Sequence, residues 1–244
     1  MSETNRDRIF AEIIEKPADF VFDDRVAAVF PDMLKRSIPG YPAIINMIET
    51  LTARYAQPGS NLYDLGCSLG ASSLAMLKGL KVKNCLIVGI DTSNAMIDRC
   101  RQIASRPEDA ARMEFICADA NSCEFTNASV VVMNFTLQFI DPSQRRPLLK
   151  KIADGMLPGG ILILSEKVKF NNQHVNELLI DVYHAFKKAN GYSELEISQK
   201  RTALENVLIP ETIETHTQRL LDAGFSSADV WFQCFNFMSM LAIK

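Results

Sequence analysis

Three aspartates end three successive apolar segments of this 244-residue chain, and the first of them precedes a turn that contains glycines. They are Asp64 in "LYDLGCSLG", Asp91 in "CLIVGID" and Asp119 in "MEFICAD". A glycine-bearing turn before a helix brings backbone N–H groups close to a ligand. A single aspartate after a strand is more often a helix cap or a turn former. Three in equivalent positions favour a binding site.

The first candidate ligand is an acyl group carried by a serine nucleophile. Residues 66–70 match the G-x-S-x-G turn of hydrolases, with Ser68 at its centre. That chemistry needs a histidine base in a loop after a late strand. The histidines, His174, His184 and His216, instead fall in the presumed lid and in the helix after it. This pattern disfavours a hydrolase.

The second candidate is a dinucleotide. Asp91 lies 21 residues after Gly70, where an acid that binds a ribose is expected. However, the G-x-G-x-x-G spacing is absent, and Ser68 stands where pyrophosphate requires a glycine. Asp64 would also place a negative charge beside the phosphates, which disfavours this ligand.

The third candidate is S-adenosylmethionine, which has a sulfonium, an ammonium, a carboxylate and an adenosine but no phosphate. Asp64 can complement the ammonium directly or through water, while the amides of the turn and of the helix start meet the carboxylate. Asp91 can accept from both ribose hydroxyls, and Asp119 from the adenine amino group. Asn134, at the end of the fourth apolar segment, is a weaker candidate contact beside the reacting sulfur.

The elements that position these residues follow a regular alternation. From residue 61 short apolar segments alternate with amphipathic ones, including helices predicted over about 71–80, 94–105 and 143–156. Such alternation predicts right-handed crossovers and a parallel sheet with its ligand at the carboxyl ends of the strands. The final segments "SADVWFQCFN" and "FMSMLAIK" leave little room for a helix, so they predict an antiparallel hairpin at the sheet edge.

The chain therefore divides into four predicted parts. Residues 1–60 form an N-terminal arm and lid helices, and residues 61–165 form an α/β cofactor-binding core. Residues 166–222 form a helical lid insertion and the last crossover helix, and residues 223–244 form the C-terminal hairpin of the core sheet. A helix including residues 44–55 is predicted before "QPGS".

Composition limits the classes of function. The chain is 48% hydrophobic and 23% charged with a formal net charge of −3, which is typical of a soluble globular protein and predicts a cytoplasmic one. Its acidity disfavours stable binding to nucleic acid, and no apolar segment approaches the ~20 residues of a membrane span. The six cysteines contain no C-x-x-C pair, so no metal site is predicted.

Two sets of motifs carry a family resemblance. "DLGCSLG", "GID" and "LPGG" resemble the Rossmann-like class I methyltransferases, which implies a mostly parallel seven-stranded sheet with a C-terminal antiparallel hairpin. Longer strings resemble the carboxy-S-adenosyl-L-methionine synthase family over almost the whole chain; they are "FDDRVAAVFPDMLKRSIPGY", "YDLGCSLGASSL", "NFTLQFI", "ANGYSELEISQKR" and "WFQCFNF". Ser68 stands where many class I methyltransferases have glycine, and Thr92 stands where relatives in the synthase family have asparagine.

The resemblance implies a homodimer in which prephenate loses its carboxyl group and becomes phenylpyruvate. The methyl carbon of S-adenosylmethionine captures that carboxyl, and a separate tRNA carboxymethyltransferase uses the product for wobble-uridine modification. Arg201 would hold the new carboxylate. The implied cofactor contacts are Tyr41, Gly66, Cys67, Ser68, Asp91, Thr92, Asp119, Ala120 and Asn134, to which the motif adds Asp64 and Gly70.

Without the family resemblance, the sequence does not assign the carboxylate-binding residue, the base or the reaction. Without the resemblance, Arg201 is more often a surface residue of a charged helix. Between residues 165 and 205, six basic side chains are balanced by six acidic ones, which is not typical of a phosphate-binding track. His184 is a weak candidate base, so the base stays unassigned. An ordinary methyltransferase acting on RNA or a small acid and a non-catalytic cofactor-binding partner of a tRNA enzyme are the alternatives.

Overall fold

The fold is an α/β sandwich, described by a computed structural model over residues 6–103 and 112–244. Within these ranges the helices are α1 Asp24–Ser37, α2 Tyr41–Tyr55, α3 Ala71–Gly79, α4 Asn94–Ile103, α5 Pro142–Gly155, α6 Gln173–Ala189, α7 Glu194–Leu204 and α8 Ile213–Ala223. The strands are β1 Asn61–Leu65, β2 Leu86–Asp91, β3 Met113–Cys117, β4 Ala128–Asn134, β5 Met156–Lys167, β6 Ser227–Cys234 and β7 Phe237–Ile243. The first five residues of the predicted arm and the last two of the helix predicted to reach residue 105 lie outside the described ranges.

The strands form one seven-stranded sheet in the order β3-β2-β1-β4-β5-β7-β6. The β1–β5 pairs are parallel, whereas β7 pairs antiparallel with both β5 and β6. This arrangement confirms the predicted class and its C-terminal hairpin. The strand order reverses between β1 and β4, so their carboxyl ends flank the crevice where α/β folds bind ligands.

Both faces of the sheet are buried, which explains why its central strands are apolar throughout. In β4, Val131 and Met133 pack in one core cluster, whereas Val130 and Val132 pack in another. The alternation follows from the two-residue period of a strand. Helices α5 and α8 cover the first face, and α2 and α3 cover the second.

The segment "LPGG" differs from its prediction. The sequence predicts a helix that ends at Met156 just before it, but α5 ends at Gly155 and Met156 already begins β5. Ala128 pairs with Met156 and Val130 with Ile161, so the extra residues form a bulge inside β5. The strand also runs to Lys167, two residues past the predicted end of the core.

The N-terminal arm, residues 6–23, is irregular but tightly bound. Asp7 is 1% exposed, and its carboxylate accepts a 2.5 Å hydrogen bond from the Tyr192 hydroxyl before α7. Phe20 N–H donates to the carbonyl of Ala203 in α7. The arm therefore wraps around the helical insertion that follows β5, and the side chain of Asp23 at its end caps α1.

Candidate cofactor site

The turn after β1 requires glycine at its first position. Gly66 has φ 73°, and its N–H donates to the Ile90 carbonyl at 2.8 Å. A Cβ there would lie 2.3 Å from Thr136 Oγ1, whose hydroxyl in turn donates to the Leu65 carbonyl at 2.7 Å. Gly70, with φ 75°, ends the turn and begins α3. The backbone is thus drawn against the loop after β4.

Ser68 adopts the left-handed conformation that a glycine would adopt more easily. Its φ is 49°, and its N–H donates to Asp91 Oδ2 at 2.9 Å. The Ser68 hydroxyl donates to the Gly66 carbonyl at 3.4 Å within the same turn. This arrangement positions a backbone turn, and the described residues give Ser68 no histidine partner of the kind a hydrolase needs.

Asp91 connects the turn to the end of β2. Oδ2 accepts from Ser68 N–H and Oδ1 from Ser93 N–H, both at 2.9 Å, and burial raises the pKa of this carboxyl. Each oxygen retains acceptor capacity for a ribose hydroxyl. Thr92 is exposed beside it. Cys67 is buried, and both a hydrogen bond with Cys100 and burial raise the pKa of its thiol, as expected of a packed residue.

Asp64 lies beneath the turn. It is 1% exposed, and its Oδ2 accepts a 2.6 Å hydrogen bond from the Ser73 hydroxyl in α3. Burial, with a smaller contribution from the charge of Asp91, raises the pKa of Asp64 to about 7. Burial and then the charge of Asp64 raise the pKa of Tyr41, which places these two side chains in one environment.

Asn134 carries an unsatisfied polar atom at the end of β4. Its Nδ2 donates to Ser72 Oγ at 3.3 Å, whereas Oδ1 is buried and has no partner among the described residues. A buried acceptor without a donor is unfavourable until a ligand or water supplies one.

Asp119 shows the ordinary role of a strand-end aspartate. It is exposed, and its Oδ1 accepts from Asn121 N–H at 2.8 Å, capping the short helical turn that begins at the buried Ala120. This capping does not use its other carboxylate oxygen.

The N-terminal arm crosses the carboxyl edge of the sheet. Ser93 Oγ, just after β2, donates to the Phe22 carbonyl at 2.6 Å. The Phe22 ring packs edge-on against Phe139 after β4, with centroids 5.4 Å apart. The arm therefore connects the two loops on either side of the turn.

Glu166 helps to form the site, although its sequence position suggests only one of the charges of the lid. It is 0% exposed, and its two oxygens accept from the N–H groups of Leu137 and Gln138 at 2.8 and 2.9 Å. Burial raises its pKa to about 8. The side chain fixes the loop after β4, and its place at the end of a buried strand is the sequence signal that could have indicated this.

Arg201 is exposed in the last turn of α7, and none of the hydrogen bonds and ion pairs of the described residues joins it to the glycine turn. The structure brings it near two lysines instead. Burial and then the charge of Arg201 lower the pKa of Lys167 to about 8, while burial and several neighbouring cations, Arg201 among them, lower the pKa of Lys187 to about 7. Burial and then the charges of Lys187, Arg201 and Lys167 lower the pKa of the half-buried His184.

The donor set fits S-adenosylmethionine. Asp91 can bind a ribose, the unpartnered Asn134 Oδ1 can accept from an ammonium, and Asp64 gives a negative group beside Tyr41. No group of three or more metal-ligating side chains and no helix able to cross a bilayer occurs within residues 6–103 and 112–244.

Comparison with known proteins identifies the class and then the family. Residues 62–160 match the family described as "Methyltransferase domain". An O-methyltransferase family protein from Burkholderia thailandensis superposes with a TM-score of 0.65 at 16% identity, covering 91% of this chain and 60% of the other. Human N-acetylserotonin methyltransferase, solved with S-adenosylmethionine, gives 0.59 at 15% identity, covering 91% and 55%. The chain therefore has the fold of the class I S-adenosylmethionine-dependent methyltransferases.

The sequence relatives are more specific. The chain is 56% identical over 240 residues to the carboxy-S-adenosyl-L-methionine synthase of Aliivibrio fischeri strain MJ11, covering 98% of this chain and 99% of that one. It belongs to the carboxy-S-adenosyl-L-methionine synthase family and is an enzyme, a transferase. The similarity extends beyond the methyltransferase domain to the arm and to α6 and α7.

Proposed function

We propose that this enzyme converts S-adenosyl-L-methionine and prephenate to carboxy-S-adenosyl-L-methionine and phenylpyruvate. Its product would serve a separate tRNA carboxymethyltransferase that forms 5-oxyacetic acid at wobble uridine. The observation that carries the proposal is the full-length family membership of a chain whose glycine turn, Asp91 and Asn134 suit the cofactor. An ordinary methyltransferase would share the turn but not the whole lid sequence.

The proposed reaction balances without a further reactant. The bond between the prephenate ring and its carboxyl group breaks to give carbon dioxide, and the electron pair expels the ring hydroxyl as hydroxide, so the ring becomes aromatic. S-adenosylmethionine supplies a methyl group that its sulfonium makes acidic. The methyl proton and the hydroxide form water, and the methyl carbon bonds to the carbon dioxide. The substrate thus supplies the base, which agrees with His184 remaining unassigned.

The chain's own residues bind, orient and exclude water. Asp91 would hold the ribose, and Asp64, Tyr41 and the turn of residues 66–68 would hold the methionine end. The N–H groups of this turn already donate to Ile90 and Asp91 and do not meet the carboxylate as the sequence predicted, so its carbonyls are the groups that can accept from the ammonium. Asn134 Oδ1 would accept from the same ammonium, beside the sulfur. Asp119 and Ala120 would contact the adenine, with Thr92 beside the ribose. The arm, with α6 and α7, would cover the site, and a covered site would protect carbon dioxide and the deprotonated methyl carbon from water.

Arg201 would recognise the new carboxylate. A guanidinium can form two parallel hydrogen bonds to a carboxylate, which an ammonium cannot. Arg201 is exposed on α7 and lies close enough to Lys167, at the end of β5, to lower its pKa, which supports a place at the carboxyl edge of the sheet. We propose a cytoplasmic homodimer without stable nucleic-acid binding; exposed Val175 and Leu178 on α6 support a subunit contact.

Carboxyl-labelled prephenate tests the proposal. The purified enzyme is incubated with S-adenosylmethionine and prephenate bearing ¹³C in its ring carboxyl, and both products are analysed by mass spectrometry. We expect labelled carboxy-S-adenosylmethionine and an equal amount of phenylpyruvate. Methyl transfer to RNA or a small acid without prephenate would support an ordinary methyltransferase. Bound cofactor without turnover would support a non-catalytic partner.

A further inference from the structure

The ammonium groups of two lysines lie near the same aromatic ring, close to the end of β5. Lys167 is the last residue of β5 and Lys187 lies in the last turn of α6. Their Nζ atoms lie 5.2 and 4.6 Å from the centroid of the buried Tyr183 ring. Lys187 is only 5% exposed, and Lys167 is half-buried. We call these three residues the lysine pocket.

Neither ammonium of the lysine pocket has an acidic partner in the described residues. By contrast, Lys188 pairs with Glu194 at 2.5 Å, and Lys200 lies 3.6 Å from Asp7. Burying unpaired charges is unfavourable. The neighbouring cations Lys200 and Arg201 increase the repulsion, since both lower the pKa of Lys187. An anion between the two lysines would relieve it.

The lysine pocket lies beside the cofactor edge. Asn134, with its unpartnered Oδ1, pairs with Ser165 across β4 and β5, only two residues before Lys167. The carboxyl ends of adjacent parallel strands meet at one edge of the sheet. A ligand held by the lysines is therefore next to the site of S-adenosylmethionine.

We propose that Lys167 and Lys187 bind the side-chain carboxylate of the acid substrate, the carboxylate that phenylpyruvate retains. This inference rests on the proposed function and names the substrate contacts of the same site. The transferred carboxyl must leave its carbon during the reaction, so fixed cations serve better on the carboxylate that remains. The Tyr183 ring provides an apolar surface for the carbon skeleton between the two ends.

Phenylpyruvate is a suitable probe because it has this carboxylate and does not react. Its affinity is measured by calorimetry on the full-length enzyme saturated with S-adenosylhomocysteine, for the wild type and for Lys167→Gln and Lys187→Gln. We expect each substitution to weaken binding at least about tenfold, as for loss of a charge-assisted contact. The affinity for S-adenosylhomocysteine should change less than about twofold.

Exposed lysines next to each position provide matched controls. Lys169→Gln and Lys188→Gln remove the same charge one or two residues away and should leave phenylpyruvate affinity unchanged. Lys187→Arg keeps the charge and should restore much of the binding lost in Lys187→Gln. If Lys187→Gln does not fold, the half-buried Lys167 and its control decide the question.

The outcomes separate this inference from the proposed function. Unchanged phenylpyruvate affinity in both pocket variants, equal losses in the controls, or no binding to the wild type would overturn the inference. Lysine-dependent binding without formation of carboxy-S-adenosylmethionine would refute the proposed function and leave the lysine pocket in place. Formation of carboxy-S-adenosylmethionine by the wild type, together with unchanged phenylpyruvate affinity in Lys167→Gln and Lys187→Gln, would support the proposed function and refute the role of the lysine pocket.

Discussion

The buried Asp64 should make cofactor binding depend on pH. Its pKa of about 7 in the free enzyme arises mainly from burial. A cationic ligand beside it favours the ionised carboxylate, so binding lowers that pKa and releases a proton. If only the ionised form binds, about one tenth of the enzyme is competent at pH 6.0 and about three quarters at pH 7.5. The apparent Kd for S-adenosylmethionine should then be about eightfold larger at pH 6.0.

Calorimetry measures both consequences of this linkage. Titrations at pH 6.0 and 7.5 give the Kd, and titrations at pH 7.0 in buffers of different ionisation enthalpy give the proton release, expected at about half a proton per site. Asp64→Asn is the matched control because it keeps the shape and cannot ionise. It should bind more weakly at pH 7.5 and lose the pH dependence.

The free energy of unfolding of Asp64→Asn should also depend on pH differently from that of the wild type. A carboxyl with a raised pKa binds its proton more tightly in the folded state, so the free energy of unfolding falls as pH rises from about 4 to about 7. Asp64→Asn should therefore be more stable than the wild type at pH 8 and lose this advantage near pH 4. A pH-independent Kd in the wild type, or the same pH dependence in Asp64→Asn, would refute the role of Asp64.

Three further substitutions, one of them with a matched control, test other parts of the site. Arg201→Ala should leave S-adenosylmethionine affinity nearly intact but cost about 1.5–3 kcal/mol in affinity for the carboxylated product, measured by competition binding; equal losses for both would contradict its role. Asp91→Ala should weaken both ligands alike in the same assay, because both contain the ribose; a change in their ratio would count against ribose binding. Gly66→Ala should lower the free energy of unfolding by roughly 2–4 kcal/mol in a urea titration, combining backbone strain with the clash against Thr136. Gly159→Ala, with φ 74° and nothing within 4 Å of the added Cβ, should show the strain alone, and equal effects in both variants would argue against the clash.

Local features of the site could be predicted from the sequence. The turn at Gly66 and Gly70 and the acid at Asp91 follow fixed spacings within one strand–helix–strand unit. The sheet followed from the alternation of apolar and amphipathic segments, and the terminal hairpin from a gap too short for a helix. The sequence could not show that the "LPGG" segment bulges inside a strand, because the pairing with β4 decides it.

Contacts between distant segments could not be predicted in this way. Asp7 and Tyr192 are 185 residues apart and meet only because the arm folds back on α7. The acidic and basic side chains between residues 165 and 205 balance in number, but Glu166 is buried beneath another loop. Glu194 pairs with Lys188 and not with Lys167 or Lys187. The positive charge of these two lysines is therefore unbalanced locally, although the total charge of the segment is balanced.

The crossing of Phe22 over the carboxyl edge has a kinetic consequence. We expect a nucleoside bound at Asp91 to leave after the neighbouring Ser93–Phe22 hydrogen bond and the Phe22–Phe139 ring contact have opened. We expect departure of the finished molecule, rather than bond making, to limit the rate of repeated cycles. A long residence time would keep the product on the enzyme rather than free in solution.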